Sequence, residues 1–168
     1  ESIYQYIYET VYGKHFYHYL RRARKTRQKH YSRHKRAKTT IQERISIHER
    51  PDTISNKVRY GDWEKDLVEF KKQRECLSVQ YERKSMLIRL KKVSNKTAEE
   101  NLNALLYIID SLPLSLFKSM TFDNGGENAC HTELKRNFFI ETYFCDSYSA
   151  WQKGGVENIN GLIRQYLP

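Results

Sequence analysis

Three acidic residues stand where strands and a helix could gather them. Asp66 lies in the middle of an alternating run, and Asp123 opens the turn Asp123-Asn124-Gly125 after a short apolar stretch. Glu157 sits in the first turn of what reads as the last helix, with 33 residues between it and Asp123. Carboxylates brought together suit Mg²⁺, a hard cation that takes oxygen ligands and keeps several waters. Two such ions can activate the attacking oxygen and stabilise the leaving oxygen of an in-line phosphoryl displacement. Each acid also has a plainer reading. Alternation puts Asp62, Glu64 and Asp66 on one side of a strand, which could be a solvated edge. Asp-Asn-Gly is a common turn, and Glu157 could simply complement the helix dipole.

The last helix adds a pattern of its own. Val156, Ile159, Ile163 and Tyr166 fall on one face, expected to pack on a sheet. Glu157 and Arg164 are seven residues apart, about two turns, so they share another face. An acid ligand followed by an arginine for a DNA phosphate makes chemical sense there. A surface cation near a helix C-terminus is the alternative. Asn158 and Asn160 are expected to orient DNA or water, with capping or simple exposure equally open. Lys153, just ahead of the helix, is assigned to DNA with Arg164 and Asn158.

Charge is unevenly divided. Residues 1–60 hold 15 Lys/Arg against 5 Asp/Glu, whereas residues 61–168 hold 15 of each. Ten basic residues, Arg21, Arg22, Arg24, Lys25, Arg27, Lys29, Arg33, Lys35, Arg36 and Lys38, come without one acid among them, interleaved with His30, Tyr31 and His34. Such a block neutralises phosphates and releases counterions, which makes nucleic acid the natural partner. A solvated tail, or contact with anionic lipid or another protein, is the competing reading. Cys76, Cys130 and Cys145 form no C-x-x-C pair, and no histidine stands at metal spacing to them. Reduced thiols in a cytoplasmic protein follow. No stretch reaches the roughly 18 apolar residues of a membrane span.

The elements that must position these residues are legible in outline. Ile3, Tyr4, Ile7, Tyr8 and Val11 have helical spacing, Gly13 is a plausible stop, and a second short helix runs through Phe16, Tyr17 and Leu20. Residues 21–60 lack sustained periodicity and read as an arm or linker. Beyond Arg59 come strands over Trp63–Phe70, Cys76–Glu82 and Ser85–Val93, then a helix capped by Thr97. A strand at Ser119–Phe122, a helix at His131–Asn137, a strand at Ile140–Cys145 and a helix at Val156–Leu167 complete the order. Three strands, helix, strand, helix, strand, helix suggests an α/β mixed sheet with helices packed on it, an order shared by RNase H-like folds.

Around the acids, Gly61-Asp-Trp-Glu-Lys-Asp-Leu-Val68, Thr121-Phe-Asp-Asn-Gly-Gly-Glu127, Tyr148-Ser-Ala-Trp-Gln-Lys-Gly154 and Glu157-Asn-Ile-Asn-Gly-Leu-Ile-Arg-Gln-Tyr-Leu-Pro168 closely resemble the insertion sequence thirty family of bacterial transposases. Smaller echoes occur at Glu1–Tyr8, Leu20-Arg21-Arg22 and Glu82-Arg83-Lys84-Ser85. The resemblance implies an RNase H-like integrase core of the D-D-E type, with Asp66, Asp123 and Glu157 as its catalytic and metal-binding triad. It implies two Mg²⁺ ions with Mn²⁺ as a substitute. It further implies DNA partners, namely terminal inverted repeats and target DNA, and homo-oligomers on paired ends. Such a protein would work in the bacterial cytoplasm, on the nucleoid, with no membrane and no small-molecule substrate. Residues 1–58 would be a helical, basic DNA-contacting arm, the tail of a helix-turn-helix region, and 59–168 the core. The missing upstream region and the stop at Pro168 read as truncation. A non-catalytic DNA-binding remnant and an RNase H-like nuclease are the alternatives.

The chain also departs from the family pattern. Lys65 stands where Gly is usual, Asp62 where His is common, and Asn128 where Phe is usual. Lys153, Gly155 and Val156 replace part of an Arg-Gly-Thr-Asn run. Alternation sets Lys65 beside Trp63 and Leu67, opposite Asp66, a poor place for a long charged side chain.

Overall fold

The computed structural model describes residues 3–21, 23–26, 41–70 and 73–167. Of the basic block, Arg22, Arg27, Lys29, Arg33, Lys35, Arg36 and Lys38 lie outside the described residues. The chain divides into two compact units, Glu1–Ala37 and Lys38–Pro168.

In the first unit, helix α1 covers Ile3–Glu9. The Thr10 hydroxyl donates to the Tyr6 carbonyl at 2.7 Å and accepts from the Gly13 amide at 3.0 Å, closing the turn. A Cβ at Gly13 would lie 2.1 Å from the Tyr6 carbonyl oxygen, so the expected stop has a steric basis. A 3₁₀ helix then spans Lys14–Tyr19. Of the apolar stripe only Ile7 is buried, while Ile3, Tyr4, Val11, Tyr12 and Tyr19 are exposed. Arg21, Arg24 and Lys25 are exposed as well.

The second unit is built on one five-stranded mixed sheet. Its strands are β1 Asp62–Glu69, β2 Cys76–Glu82, β3 Ile88–Val93, β4 Ser119–Phe122 and β5 Glu141–Phe144, in the order β3-β2-β1-β4-β5. The first three form an antiparallel meander, while β4 and β5 add in parallel to β1. β3 starts three residues later than its pattern suggests. The Glu82 carboxylate gathers the Lys84 and Ser85 amides and the Ser85 hydroxyl, which makes Arg83–Ser85 a turn rather than a strand.

Of the helices, α3 (Ala98–Asp110) and α4 (Thr132–Phe138) bury the larger core, with α2 a single turn at Asp52–Ser55. Trp63, Met120, Phe122 and Phe144 from the sheet meet Leu105, Ile108, Ile109 and Leu134 there. On the opposite face, α5 (Gly154–Tyr166) sets Val156, Ile159 and Ile163 against Val68, Val79 and Tyr81. Tyr166, expected on the same face, is 81% exposed. The helix has run past the sheet by its last turn.

Residues 41–60 are not a free linker. Ile41, Ile47 and Ile54 are buried, and Ser46 bridges to Phe144. His131 is buried between the Thr142 hydroxyl and the Gln42 carbonyl, each 2.9 Å from a ring nitrogen, and burial lowers its pKa.

Candidate active site

Strand β1 is interior, flanked by β2 and β4, so Asp62, Glu64 and Lys65 face packed elements and not solvent. Even-numbered positions point toward α5 and odd-numbered positions toward α3, as the pleat requires. The solvated-edge reading of Asp62 and Glu64 therefore fails: they are 0% and 2% exposed. Asp62 is held by Arg59 and by the Ser119 hydroxyl at 2.7 Å. Glu64 pairs with the buried Arg83 and accepts from the Val156 amide at 2.9 Å, in the first turn of α5. A buried carboxylate on the sheet thus caps the helix that carries Glu157.

Asp66 comes next on the same face, half-buried. Asp123 follows β4 at once, where the chain must leave the sheet, and its Oδ1 accepts from the Gly125 amide at 3.0 Å. Because β1 and β4 are paired neighbours, the two aspartates open onto one place. Lys153 fills it. Its Nζ lies 3.4 Å from Asp66 Oδ1, 3.4 Å from Asp123 Oδ2 and 3.0 Å from the Lys65 carbonyl, and the residue is 4% exposed. This corrects the expectation that Lys153 faces DNA: in this arrangement its ammonium is the counter-cation of the aspartate pair. Burial works to lower the Lys153 pKa, but the two carboxylates outweigh it and raise it. Burial would likewise raise Asp123, yet Lys153, the Gly125 amide and Lys65 hold its carboxyl below the ordinary value.

Other groups fix the carboxylates. Asn160, two turns into α5 from Lys153, donates from Nδ2 to Asp66 Oδ2 at 2.7 Å. It was expected to orient DNA or water and instead orients an aspartate. Asn128 donates to Asp123 Oδ1 at 2.8 Å. Lys65, 1% exposed on the Trp63 side, reaches Asn128 Oδ1 at 3.1 Å, and burial pushes its ammonium down to about 8. Nothing in the local pattern marks Asn128 as a partner of Lys65, since they are far apart in sequence and lie on different elements.

Glu157 is exposed one turn beyond Lys153, and Asn158 and Arg164 are exposed on the same helix. Among the described residues no three His, Cys, Asp or Glu side chains stand close enough to hold one metal ion. The pair Asp66 and Asp123 nonetheless fits a hard cation, since both carboxylates already converge on an ammonium and supply only oxygen. Cys145, buried beside this site, has its thiol pushed up to about 11 by burial.

The chain is similar to three curated transposases. It is 38% identical over 128 residues to the transposase of insertion sequence element IS1086 from Cupriavidus metallidurans, which covers 76% of this chain and 38% of that protein. It is 33% identical over 169 residues to the IS4351 transposase of Bacteroides fragilis, 100% of this chain and 51% of the relative. Against transposase InsI of IS30A from Escherichia coli, the identity is 37% over 172 residues, 96% of this chain and 44% of the relative. The chain thus spans about half the length of these relatives, or less. No family model matches it.

Among solved structures, the magnesium complex of the HTLV-2 integrase catalytic core domain superposes with a TM-score of 0.50 at 23% identity, over 62% of this chain and 68% of that one. The simian T-cell lymphotropic virus intasome in complex with PP2A regulatory subunit B56 gamma gives a TM-score of 0.51 at 22% identity, over 62% and 38%. These likenesses show the fold: the mixed sheet has the RNase H-like arrangement that those integrase cores also have. The sequence relatives are transposases of insertion sequence elements, 33–38% identical over most of this chain, and what the chain resembles is a segment of each.

Proposed function

We propose that this chain is the catalytic segment of a D-D-E transposase, which cuts at the ends of an insertion sequence and joins them to target DNA. The observation that carries the reading is the convergence of Asp66 and Asp123, from adjacent strands, on a single cation position 3.4 Å from each. That is what a phosphoryl-transfer site needs, because positioning and charge neutralisation do most of the work. Asp66 and Asp123 would hold a divalent ion such as Mg²⁺, with Mn²⁺ as a substitute, and Glu157 would complete the ligand set, for two ions in all. Bound there, the metal supplies Lewis-acid activation of oxygen and neutralises phosphate charge. The chain's own part is orientation: Asn160 fixes Asp66, Asn128 fixes Asp123, and the Glu64 cap holds the helix that bears Glu157.

DNA is the substrate. Arg164 and Asn158 on exposed positions of α5 would contact it near the acids, and the basic run from Arg21 to Lys38 would track its backbone. The arm expected over 1–58 is confined in this reading to the first unit, Glu1–Ala37, with residues 41–58 belonging to the core. Terminal inverted repeats and target DNA are bound by homo-oligomers on paired ends, on the bacterial nucleoid. No helix among the described residues is long and apolar enough to cross a membrane.

The test is Asp123→Ala in the full-length transposase, with Mg²⁺-dependent nicking of element ends as the readout. Nicking is expected to fall by several orders of magnitude while DNA binding persists. Undiminished nicking would remove Asp123 from the mechanism. DNA binding by the unaltered protein without any nicking would favour a binding remnant.

A further inference from the structure

Two buried polar residues from distant parts of the sequence meet inside the fold, Lys65 on β1 and Asn128 in the 3₁₀ helix Gly126–His131. Lys65 Nζ donates to Asn128 Oδ1 at 3.1 Å, and both residues are buried, at 1% and 3% exposure.

The hydrogen-bond chemistry of the pair has a direction. An ammonium can only donate, so the Asn128 carbonyl oxygen has to face Lys65. Asn101 from α3 donates to the same oxygen at 3.2 Å, which strengthens the assignment. The amide cannot turn over without setting its NH₂ against two donors. Its Nδ2 is therefore directed at Asp123, donating to Oδ1 at 2.8 Å and to the backbone carbonyl at 3.3 Å. With the Gly125 amide on the same Oδ1, that oxygen is fully engaged and Oδ2 is left facing the cation position that Lys153 fills.

We propose that Lys65 and Asn128 act as one unit, a buried lysine–amide clamp that sets the rotamer of Asp123 and presents its Oδ2 to the metal. Both are positioning residues, and the proposal rests on the reading of Asp123 as a metal ligand. The clamp spans the sheet. Lys65 approaches from the α3 face, opposite the face on which Asp66 lies, and so orders the site without occupying it.

The clamp is tested on the 168-residue chain by thermal unfolding and by calorimetric titration with Mg²⁺ alone. Asn128→Leu is expected to lower Tm sharply, because it strands the Lys65 ammonium without its acceptor. Adding Lys65→Met should recover most of that loss, since a buried polar pair replaced by apolar groups of similar shape is nearly neutral. The double variant Lys65→Met/Asn128→Leu, folded but lacking the amide donor to Asp123, should bind Mg²⁺ about 10- to 100-fold more weakly than wild type, the usual cost of losing a group that orients a metal ligand. Additive Tm losses would overturn the pairing. A double variant with wild-type Mg²⁺ affinity, beside an Asp123→Ala variant that has lost it, would overturn the positioning role alone. Wild-type affinity in Asp123→Ala itself would instead refute Asp123 as a ligand, and the proposal would fall with it.

Discussion

A lysine with 1% exposure leaves a mark on the pH dependence of stability. The Lys65 ammonium titrates near 8 in the folded protein against an ordinary 10.5, because burial disfavours its charged form. Between those values the unfolded chain holds a proton that the folded chain has released, so stability rises with pH across that window. Relative to Lys65→Met, the wild type should therefore gain stability from pH 8 to pH 10, by about 2 kcal/mol, since the slope is at most roughly 1.36 kcal/mol per pH unit. Denaturant melts of the two proteins at both pH values measure the difference, and parallel profiles would show that the ammonium is not desolvated. At this scale Asp66, Asp123 and Glu157 stand out in the sequence by type, spacing and surrounding motif, and the structure brings Asp66 and Asp123 to one cation position. The target of Lys153 was not legible in the sequence. A lysine just ahead of the helix that carries Glu157 and Arg164 reads as a phosphate contact, and only the pairing of β1 with β4 creates the anionic pair that draws its ammonium inward.

Elements were read well wherever periodicity was strong and poorly wherever it was absent. The antiparallel β1–β2 pair, the Thr97-capped α3 and the short strands β4 and β5 follow from alternation, capping and turn chemistry. The 3₁₀ helix Gly126–His131 carries no such period, and nothing local shows that Asn128 reaches Asp123 and Lys65. The seating of α5 is a further tertiary matter. A Cβ at Gly155 would lie 2.3 Å from Tyr81 Cε1 and 2.8 Å from Glu64 Oε2, so the first turn of α5 rests directly on β1 and β2. Gly155→Ala should consequently destabilise the protein. Overpacking costs about 1–3 kcal/mol, which outweighs the gain of about 1 kcal/mol expected from replacing Gly in a helix. An increase in the urea midpoint for this variant would show that α5 sits farther from the sheet.

For the whole molecule, the structure ties residues 41–60 to the sheet through Ile41, Ile47, Ile54 and the Ser46–Phe144 bridge. A chain beginning at residue 38 should fold with a cooperative melt. One beginning at residue 59 should melt lower or aggregate, because each lost buried Ile removes about 1.5–3 kcal/mol of burial. Equal Tm values for the two would return 41–60 to the status of a linker. The sequence by itself determined the class of the molecule: a basic first third, a strand–helix order of the RNase H type, and three acids inside motifs of one transposase family. These are properties of local pattern and composition, which the chain carries whether or not it is folded. Only the tertiary structure decided which groups meet. Lys153 between the aspartates, Glu64 beneath α5, and Lys65 against Asn128 are contacts between residues distant in sequence. Their geometry depends on sheet register and helix docking, which no single segment encodes.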